Sequence, residues 1–451
     1  MQTRFGLMAG GLLLLGVARA AFAVTATGGN STNDSGGYRI HTFTGSGTLT
    51  FNTNGSVDVL VVGGGGGGGG FVGGGGGGAG VISTTSFAVA SGSIAVTVGG
   101  GGAGGANVAS TGFGGVGGNS VFSTLTAVGG GRGGAAYVSN AGTGGSGGGA
   151  GCSQVGSVLT GQSGTAGQGS NGGSSSTTVN GGAGGGGGAG AVGTNGIAGT
   201  KGGDGGNGVA NSISGSSVIY GGGGGGACYL GTAGSGGSGG GGNAANPGQA
   251  GTPNRGGGGG GGGVSVATAA GGAGGSGVVI VRYALPGTLS IDVTPNTASW
   301  TITAYAGGYA GPFSGTGDLA VATAPVGSYT VDYETLSGYV APADQTLSVT
   351  ASANTAFSGT YVTATYGTLS IDVAPNTASW SITSHPGEYT TPTNGTGDLA
   401  ATTAHRGQLH GALRSAGGVH GAGGSDLDGG GQREHGIYGD LCGGDVRDLL
   451  H

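Results

Sequence analysis

The residues with the clearest potential for chemistry lie near the C-terminal end of the chain. Residues 405–451 hold five of the seven His and four of the eleven Lys and Arg residues. This segment opens with HRGQLHGALRS, and the neutral imidazole is the commonest metal ligand among side chains. A metal or anion site in a His-bearing tail is therefore the first interpretation to weigh.

The spacing of the histidines argues against a metal site. The candidate ligands His410, His420 and His435 are ten and fifteen residues apart. Compact zinc motifs place their ligands two to five residues apart within each pair. We therefore expect no metal site in the tail, and the sequence immediately before it offers a different explanation.

A long repeat precedes the tail. Residues 287–303 read GTLSIDVTPNTASWTIT and residues 367–383 read GTLSIDVAPNTASWSIT, which gives a period of 80 residues. Such a long period indicates tandem domains rather than a short solenoid. Alternating Leu/Ile/Val and Thr/Ser runs with Pro/Gly turns predict a small β-sandwich for each repeat. We expect Trp300 and Trp380, which are equivalent, to be core anchors rather than ligand platforms.

The similarity between the two repeats stops abruptly at Ala404, the equivalent of Ala324. Residues 407–411, GQLHG, have possible codons that read GSYTV when the frame is shifted by one base, and GSYTV is the sequence of residues 327–331. Gly codons are permissive, so the positions that carry the argument are those with restrictive codons. In the shifted frame these recover Ser at Gln408, Tyr at Leu409, Phe at Ile437 and Thr at Asp448.

We therefore hypothesise that residues 405–451 are an out-of-frame translation of the second repeat. This predicts a disordered tail, a truncated second sandwich at 367–404 with an unpaired strand edge, and a natural protein that continues past His451. Resequencing the gene tests the hypothesis, since codons incompatible with the shifted reading would refute it.

Composition sets the first half of the chain apart. The sequence has 130 Gly among 451 residues, and only 6% of its residues are charged. Glycine has no side chain to bury, so most of this length cannot form an ordinary hydrophobic core. The glycine runs have no strict G-X-Y period, which excludes a collagen triple helix, and the low charge is unlike a disordered chain.

The N-terminal segment predicts export. Arg4 precedes an apolar run over residues 5–18, and Ala21-Phe22-Ala23 is a cleavage site of the small-x-small type. We interpret residues 1–23 as a secretory signal because the run is shorter than a membrane-spanning helix needs. The expected location is therefore secreted or cell-surface, with no membrane span once the signal is removed.

Strand-like runs surround the glycine tracts. YRIHTFT (38–44), GTLTF (47–51) and SVDVLVV (56–62) follow a polar lead-in at 24–36, and GSGVVIVRY (275–283) closes the region. Asn54-Gly55 is a strong hairpin signal, and the apolar end of the third run predicts burial on both faces.

The glycine tracts themselves, such as residues 63–70, suit an extended helix with three residues per turn. Such a helix has no internal hydrogen bonds, so its backbone groups can bond to neighbouring helices that approach closely. The flanking strands favour this polyglycine II arrangement over a flexible linker, because a strand with a buried end needs a folded partner.

These motifs resemble the glycine-rich domain of bacterial surface proteins and phage tail-tip adhesins over residues 37–283. The resemblance implies a bundle of glycine helices whose end loops carry recognition. The candidate recognition residues are Arg132, Tyr137, Tyr229, Leu230, Asn254 and Arg255. The repeats at 287–366 and 367–404 are similar to PEGA-type or immunoglobulin-like repeats of surface proteins.

Two cysteines of the glycine-rich region raise a redox question. An exported chain meets an oxidising compartment, so Cys152 and Cys228 could form a disulfide. The alternative is a pair of small buried thiols in a glycine-packed interior.

Charge and motif content exclude several function classes. Residues 24–404 contain 5 Lys and Arg against 11 Asp and Glu, so no basic stripe is available for nucleic acid. We find no nucleophile–base–acid set, and we expect neither a cofactor nor an enzyme. Each GTGD turn has too few acids for calcium, and its Asp is expected to cap the turn.

The sequence therefore predicts an exported surface protein. In the first hypothesis the glycine-rich module is a rigid spacer or a binding tip for a cell-surface glycan or protein, presented on sandwich repeats. In the second it is a matrix or stalk component without a specific ligand. The oligomeric state stays open.

Overall fold

The computed structural model describes residues 24–138, 140–153, 156–178, 181–263, 269–364, 366–371, 379–384, 394–397, 399–405, 408–414 and 435–440. The regular elements in these ranges are β-strands, which confirms the prediction of a mainly β protein. The signal sequence predicted for residues 1–23 lies outside the described residues.

Short strands accompany the glycine runs up to residue 284. They are β1 (Ala26–Gly28), β2 (Ser31–Ser35), β3 (Tyr38–Phe43), β4 (Gly47–Phe51), β5 (Gly55–Val62), β6 (Val81–Val89), β7 (Gly92–Thr97), β8 (Ser120–Phe122), β9 (Leu125–Ala127), β10 (Val209–Asn211), β11 (Val218–Tyr220) and β12 (Val278–Ala284). One sheet has the order β1-β4-β7-β8-β9 and a second has the order β2-β3-β12-β5-β6, while β10 pairs with β11.

The two five-stranded sheets share a hydrophobic core. Leu49 of the first sheet belongs to the same buried cluster as Val59 of β5 and Val281 of β12. The alternate residues of β5 and β12, including Leu60 and Ile280, belong to a separate buried cluster. Strands β5 and β12 are therefore covered on both faces, as the continuous apolar end of β5 predicted.

One expectation for this region was wrong. Asn54-Gly55 does not close a hairpin, because β4 pairs with β1 and β7 while β5 pairs with β12 and β6. The turn instead carries the chain from one sheet to the other, so that both strands can face the shared core. The polar lead-in at 24–36 contains β1 and β2, and each of these is an edge strand of one of the two sheets.

The glycine runs form a bundle with a hydrogen-bond period of three. Along residues 63–70, the N–H groups of Gly64 and Gly67 donate to the carbonyls of Gly118 and Gly115 in one neighbouring run. The N–H groups of residues 65 and 68 donate to a second run, and those of 66 and 69 donate to a third. This is the pattern of a three-residue helix that bonds to its neighbours instead of to itself.

The same helix also accepts bonds from three further runs. Residues 130 and 133 of one run donate to the carbonyls of residues 64 and 67. In the same way, residues 102 and 105 donate to those of 65 and 68, and residues 259 and 262 donate to those of 66 and 69. Six runs therefore surround the helix at 63–70. A Cβ added at Gly67 would overlap the carbonyl oxygen of Ala103. Only glycine allows such close approach of backbones on every side.

Residues 287–363 form a separate two-sheet unit. Its strands are β13 (Gly287–Thr294), β14 (Ser299–Ala304), β15 (Ser314–Thr316), β16 (Leu319–Ala324), β17 (Gly327–Tyr333), β18 (Tyr339–Val340), β19 (Gln345–Val349), β20 (Asn354–Thr360) and β21 (Val362–Thr363). The sheet orders are β16-β13-β20 and β15-β14-β17-β19, and the short β18 pairs with β21. Assignment of the unit to a PEGA-type or immunoglobulin-like family remains a prediction.

Side chains from both sheets of this unit meet in one buried cluster. Leu289 and Phe357 come from the first sheet, and Trp300 and Tyr329 come from the second. The Trp300 indole N–H donates to Gly317 O at 2.7 Å, so Trp300 is the core anchor that the sequence predicted. The carboxylate of Asp318 accepts the N–H of Val293 in β13 at 3.0 Å, so it bonds to a neighbouring strand instead of capping its own GTGD turn as the sequence predicted.

The second repeat is described in part. Its strands are β22 (Tyr366–Ile371), β23 (Ser379–Ser384), β24 (Asn394–Thr396), β25 (Leu399–His405), β26 (Gln408–Arg414) and β27 (His435–Asp440). Strand β26 pairs with β23 in the register Trp380↔Leu413, which is the register Trp300↔Tyr333 of the first unit shifted by 80 residues. Among the described strands β22 pairs with β25 alone, whereas β13 has two partners.

The disorder predicted for residues 405–451 falls mostly outside the described residues. Within that segment the structure places β26 and β27 in a sheet of order β24-β23-β26-β27. The hydrogen bonds between paired strands use only backbone groups. A segment translated in another reading frame can therefore still pair as a strand at these positions.

Candidate functional site

The glycine bundle has two ends of different character. One end adjoins the sheets, because runs such as 63–70 and 73–80 begin or end at strands β5 and β6. At the other end the runs reverse direction in short turns. We call this end the tip; its described segments include residues 71–72, 106–111, 136–138, 152–153, 197–201, 228–232 and 244–247. Eight residues at 3.1 Å rise separate the two ends by about 25 Å.

Hydrogen bonds tie these turns together. The Tyr137 N–H donates to Cys152 O at 2.8 Å, and the Cys152 N–H donates to Val72 O at 3.1 Å. An isolated bridge joins Gly182 to Cys228. Chain segments that are far apart in sequence are thereby held side by side at the tip.

The tip holds non-glycine residues in a left-handed backbone conformation. The φ angles are 54° at Phe71, 57° at Val72, 66° at Ser110 and 73° at Tyr137. Such angles are strained for side-chain-bearing residues and most of all for β-branched Val. In a chain so rich in glycine, which adopts these angles freely, the side chains at the turns need a separate reason.

Those side chains form an apolar cluster. Val72 is buried together with Ala136, Cys152, Ala227 and Ala244. Three aromatic side chains pack against this group and are only partly buried, namely Phe71, Tyr137 and Tyr229. The rings of Phe71 and Tyr137 meet edge to face with their centroids 6.0 Å apart. Leu230, next to Tyr229, has 75% of its surface exposed.

Arg132 adds a positive charge near the tip. Its guanidinium lies 4.4 Å from the centre of the Phe113 ring, and its Nε–H donates to Asn140 O at 3.0 Å. Lys201, by contrast, is paired with Asp204 at 2.6 Å. No Asp or Glu occurs in the sequence between Asp58 and Asp204. Among the described residues Arg132 has no carboxylate partner, so its charge is available to a ligand.

The two cysteines lie within or beside the tip cluster. Cys152 and Cys228 are both fully buried, and the structure holds them as free thiols. Burial, followed by the proximity of Cys228, raises the pKa of Cys152 to about 12. Burial also raises the pKa of Tyr137, with smaller contributions from Cys152 and Tyr229. Disulfide formation between the two cysteines remains a prediction.

The structure divides the sequence-predicted recognition residues into two groups. Arg132, Tyr137, Tyr229 and Leu230 belong to the tip and its flank. Asn254 and Arg255 lie at the sheet end. The Asn254 N–H donates to the Ser276 hydroxyl at 3.0 Å, and Arg255 O accepts from Gly221, which follows strand β11.

Sequence reasoning missed two aromatic residues, Phe71 in the tip and Phe113 beneath the Arg132 guanidinium. For Phe71 the available signal was its position, because Phe71 and Val72 interrupt two pure glycine runs in GGGGGGGGFVGGGGGG. A bulky pair at that point can only be a turn or an obstruction in a bundle that has no room for side chains.

Metal centres and membrane spans are two other classes of site to consider. No group of three or more His, Cys, Asp or Glu side chains in these residues is arranged to hold a metal ion. No helix in the described part of the chain is long and apolar enough to cross a membrane. His420, one of the tail histidines weighed as a metal ligand, lies outside the described residues.

Comparisons with known proteins single out the glycine-rich region. The family model described as glycine-rich domain matches residues 41–284. No curated protein matches the chain. The solved structure of the Bacillus anthracis TIE protein is 15% identical, with a TM-score of 0.17. That match covers 37% of this chain and 34% of the TIE chain, and such a TM-score is too low to indicate a shared fold.

Proposed function

The chain belongs to the glycine-rich domain family, and from that premise we propose that it is an exported surface protein whose bundle tip recognises a ligand. The observation that carries the proposal is the set of side chains at the tip. Phe71, Val72 and Tyr137 stand on strained backbone, and Leu230 is exposed beside them. Strained residues persist only where the surrounding structure holds them in place, and they are enriched at functional sites.

The rest of the bundle is suited to presenting that tip. Its runs are bonded to one another on several sides, so the turns stand on a rigid support rather than on a flexible linker. Aromatic anchors held in place lose little conformational entropy on binding. In this proposal the protein is secreted or displayed on the cell surface, and residues 1–23 direct its export.

The ligand class proposed for the tip is a cell-surface glycan or protein. The half-buried aromatic rings offer apolar contact, and Arg132 offers a charge without a carboxylate partner among the described residues. The proposal includes no nucleic-acid partner, cofactor or catalytic activity. The repeats that follow residue 286 would hold the bundle away from the cell, as in the surface proteins that the sequence resembles.

A purely structural role is the second candidate. The dense backbone bonding of the bundle favours it, since a rigid matrix or stalk component needs no ligand. In that case the tip cluster would serve only to close the end of the bundle and keep water from its last hydrogen bonds.

Binding of the full chain to intact bacterial cells separates the two candidates. We would label the wild type, the tip variant Tyr229→Ala with Leu230→Ser, and the control Val321→Ser, then measure cell binding by flow cytometry. Val321 is an exposed apolar residue of the two-sheet unit, 62% exposed. Recognition predicts at least a tenfold loss for the tip variant and wild-type binding for the control. Equal binding by all three proteins would favour the structural role.

A further inference from the structure

A second group of aromatic residues lies outside the glycine bundle. Tyr305, Tyr309 and Phe313 occupy the loop between strands β14 and β15 of the two-sheet unit. The centroids of Tyr305 and Phe313 are 5.0 Å apart, and Tyr309 is 6.0 Å from Tyr305 and 5.4 Å from Phe313. Tyr305 is 50% exposed and Phe313 is 43% exposed, whereas Tyr309 is only 5% exposed.

The buried ring fixes the loop. Tyr309 meets Tyr329 of the core edge to face at 5.3 Å, and its hydroxyl donates to Pro312 O at 2.9 Å. Gly311 lies directly against the Tyr309 ring, where a Cβ would come within 2.8 Å of it. The Ile302 N–H donates to Phe313 O at 2.6 Å. The two exposed rings are therefore held in a defined arrangement before any ligand arrives.

The second repeat shows which of these rings the fold requires. With the 80-residue period, the positions of Tyr305, Tyr309 and Phe313 are taken by His385, Tyr389 and Thr393. The second repeat also has Tyr at the position of Tyr309, but it lacks both of the aromatic residues that are exposed in the first repeat. The flanking framework, ASW before the loop and GTGDLA after it, is identical in the two repeats. The exposed rings are thus particular to the first repeat.

The chemistry of the loop points to an uncharged ligand. No charged residue occurs from Ala304 to Gly317. The planes of Tyr305 and Phe313 are inclined at 57°, so the two rings form an angled surface rather than a flat one. A sugar ring has an apolar face of C–H groups that stacks on aromatic rings, and hydroxyls that can bond to the Tyr305 phenol.

We propose that Tyr305 and Phe313 form a binding site for a neutral saccharide on the first two-sheet unit. A peptide added to a sheet edge gains its affinity from main-chain hydrogen bonds. The adjacent edge strand β15 has only three residues for that purpose. The pair of rings, rather than the strand edge, is therefore the recognition element, and the site is separate from the tip of the glycine bundle.

An array of neutral oligosaccharides tests this proposal with the full chain. The test variant carries Tyr305→His with Phe313→Thr, which are the residues of the second repeat in the same framework. We expect the wild type to bind a subset of neutral glycans and the variant to lose at least tenfold of that signal. Tyr309→Phe, which keeps the buried ring, should retain binding.

Further arms distinguish the proposal from its competitors. Circular dichroism must show that the variant retains the wild-type spectrum. The tip variant Tyr229→Ala with Leu230→Ser should keep neutral-glycan binding, which separates this site from the function proposed for the bundle. Identical array profiles for the wild type and the Tyr305→His, Phe313→Thr variant would overturn the proposal. So would binding of a Pro-rich decapeptide in place of every neutral glycan.

Discussion

The glycine bundle is stabilised by backbone hydrogen bonds, whereas the two-sheet unit is stabilised by the packing of its side chains. In the bundle, each interior run is bonded through its N–H and C=O groups to its neighbours, and there is no space for side chains. In the unit at 287–363, large side chains such as Tyr329 and Phe357 fill a space between two sheets. One region depends on the absence of side chains and the other on their size.

This difference predicts opposite responses to substitution. A hydrophobic core loses stability when a side chain is made smaller, because burial is lost and a cavity remains. A close-packed backbone bundle loses stability when a side chain is added, because neighbouring chains must separate. Four experiments test the contrast, in order of decreasing effect.

The largest effect is expected from Phe357→Ala in the two-sheet unit. Phe357 is fully buried, so we expect a loss of about 4 kcal/mol in the free energy of unfolding. Tryptophan fluorescence during urea unfolding measures it, because the chain's only Trp residues are Trp300 and Trp380, after the bundle. The neighbouring exposed residue offers a control, Ser358→Ala, which should change little. Similar losses for both variants would contradict a side-chain core.

The next effect is expected from Gly65→Ala at the centre of the bundle. A Cβ there overlaps the Gly257 carbonyl, and we expect a loss of about 2–3 kcal/mol. Gly100→Ala is the matched control, because nothing lies within 4 Å of its added Cβ. It should be neutral or slightly stabilising. Hydrogen exchange by mass spectrometry localises the change, and equal loss of protection in both variants would refute the packing argument.

A smaller, pH-dependent effect is expected where the two five-stranded sheets meet. His41 is buried, its Nδ1 lies 2.7 Å from Gly28 O, and its Nε2 lies 3.2 Å from the Tyr283 hydroxyl. Burial is the main cause that lowers the pKa of His41, and Arg39 lowers it further. The unfolded chain therefore binds the proton more tightly than the folded chain does.

Stability is accordingly complete above the unfolded His pKa of about 6.5 and falls as the pH drops from there toward the folded pKa. The slope reaches at most about 1.4 kcal/mol per pH unit. Hydrogen exchange of residues 24–62 at pH 7.5 and pH 5 measures the loss, and His41→Gln should flatten it. The unit at 287–363 contains no His and serves as the internal reference. If the stability of residues 24–62 in the wild type were the same at pH 7.5 and pH 5, the lowered pKa of His41 would be contradicted.

The smallest effect concerns reactivity rather than stability. With its pKa near 12, the buried Cys152 thiol should react with iodoacetamide far more slowly in the folded chain than in urea. The two-sheet unit at 287–363 has no Cys. Iodoacetamide labelling of Cys152 or Cys228 therefore reports on the bundle. Peptide mass spectrometry after oxidation checks the predicted pairing with Cys228. Rapid labelling of the folded, reduced chain would argue against a closed tip.

The sequence predicted strands better than it predicted their partners. GTLTF at 47–51 coincides with β4, and SVDVLVV at 56–62 lies within β5. The pairing of β4 and β5 was wrong because a two-residue turn signal says nothing about which sheet receives the next strand. The shared core determines which sheet each strand joins, because Leu49 of β4 and Val59 of β5 pack in the same buried cluster from different sheets.

The candidate site was predictable only in part. The period-three bonding of the glycine runs follows from their composition, since no other residue could pack so closely. Which loops meet at the tip depends on the direction of every run between them. This is why Tyr137 and Tyr229 came together, whereas Arg255 lies at the opposite end.

The three-residue hydrogen-bond period also constrains how the bundle can change length. Inserting three residues in a run adds about 9 Å, one full turn, and keeps every donor facing the same neighbour. Inserting one residue turns the remainder of the run by about 120° and redirects each donor to a different neighbour. We therefore expect members of this family to differ by multiples of three residues, inserted in adjacent runs together. Aligning the lengths of their glycine runs would check this expectation.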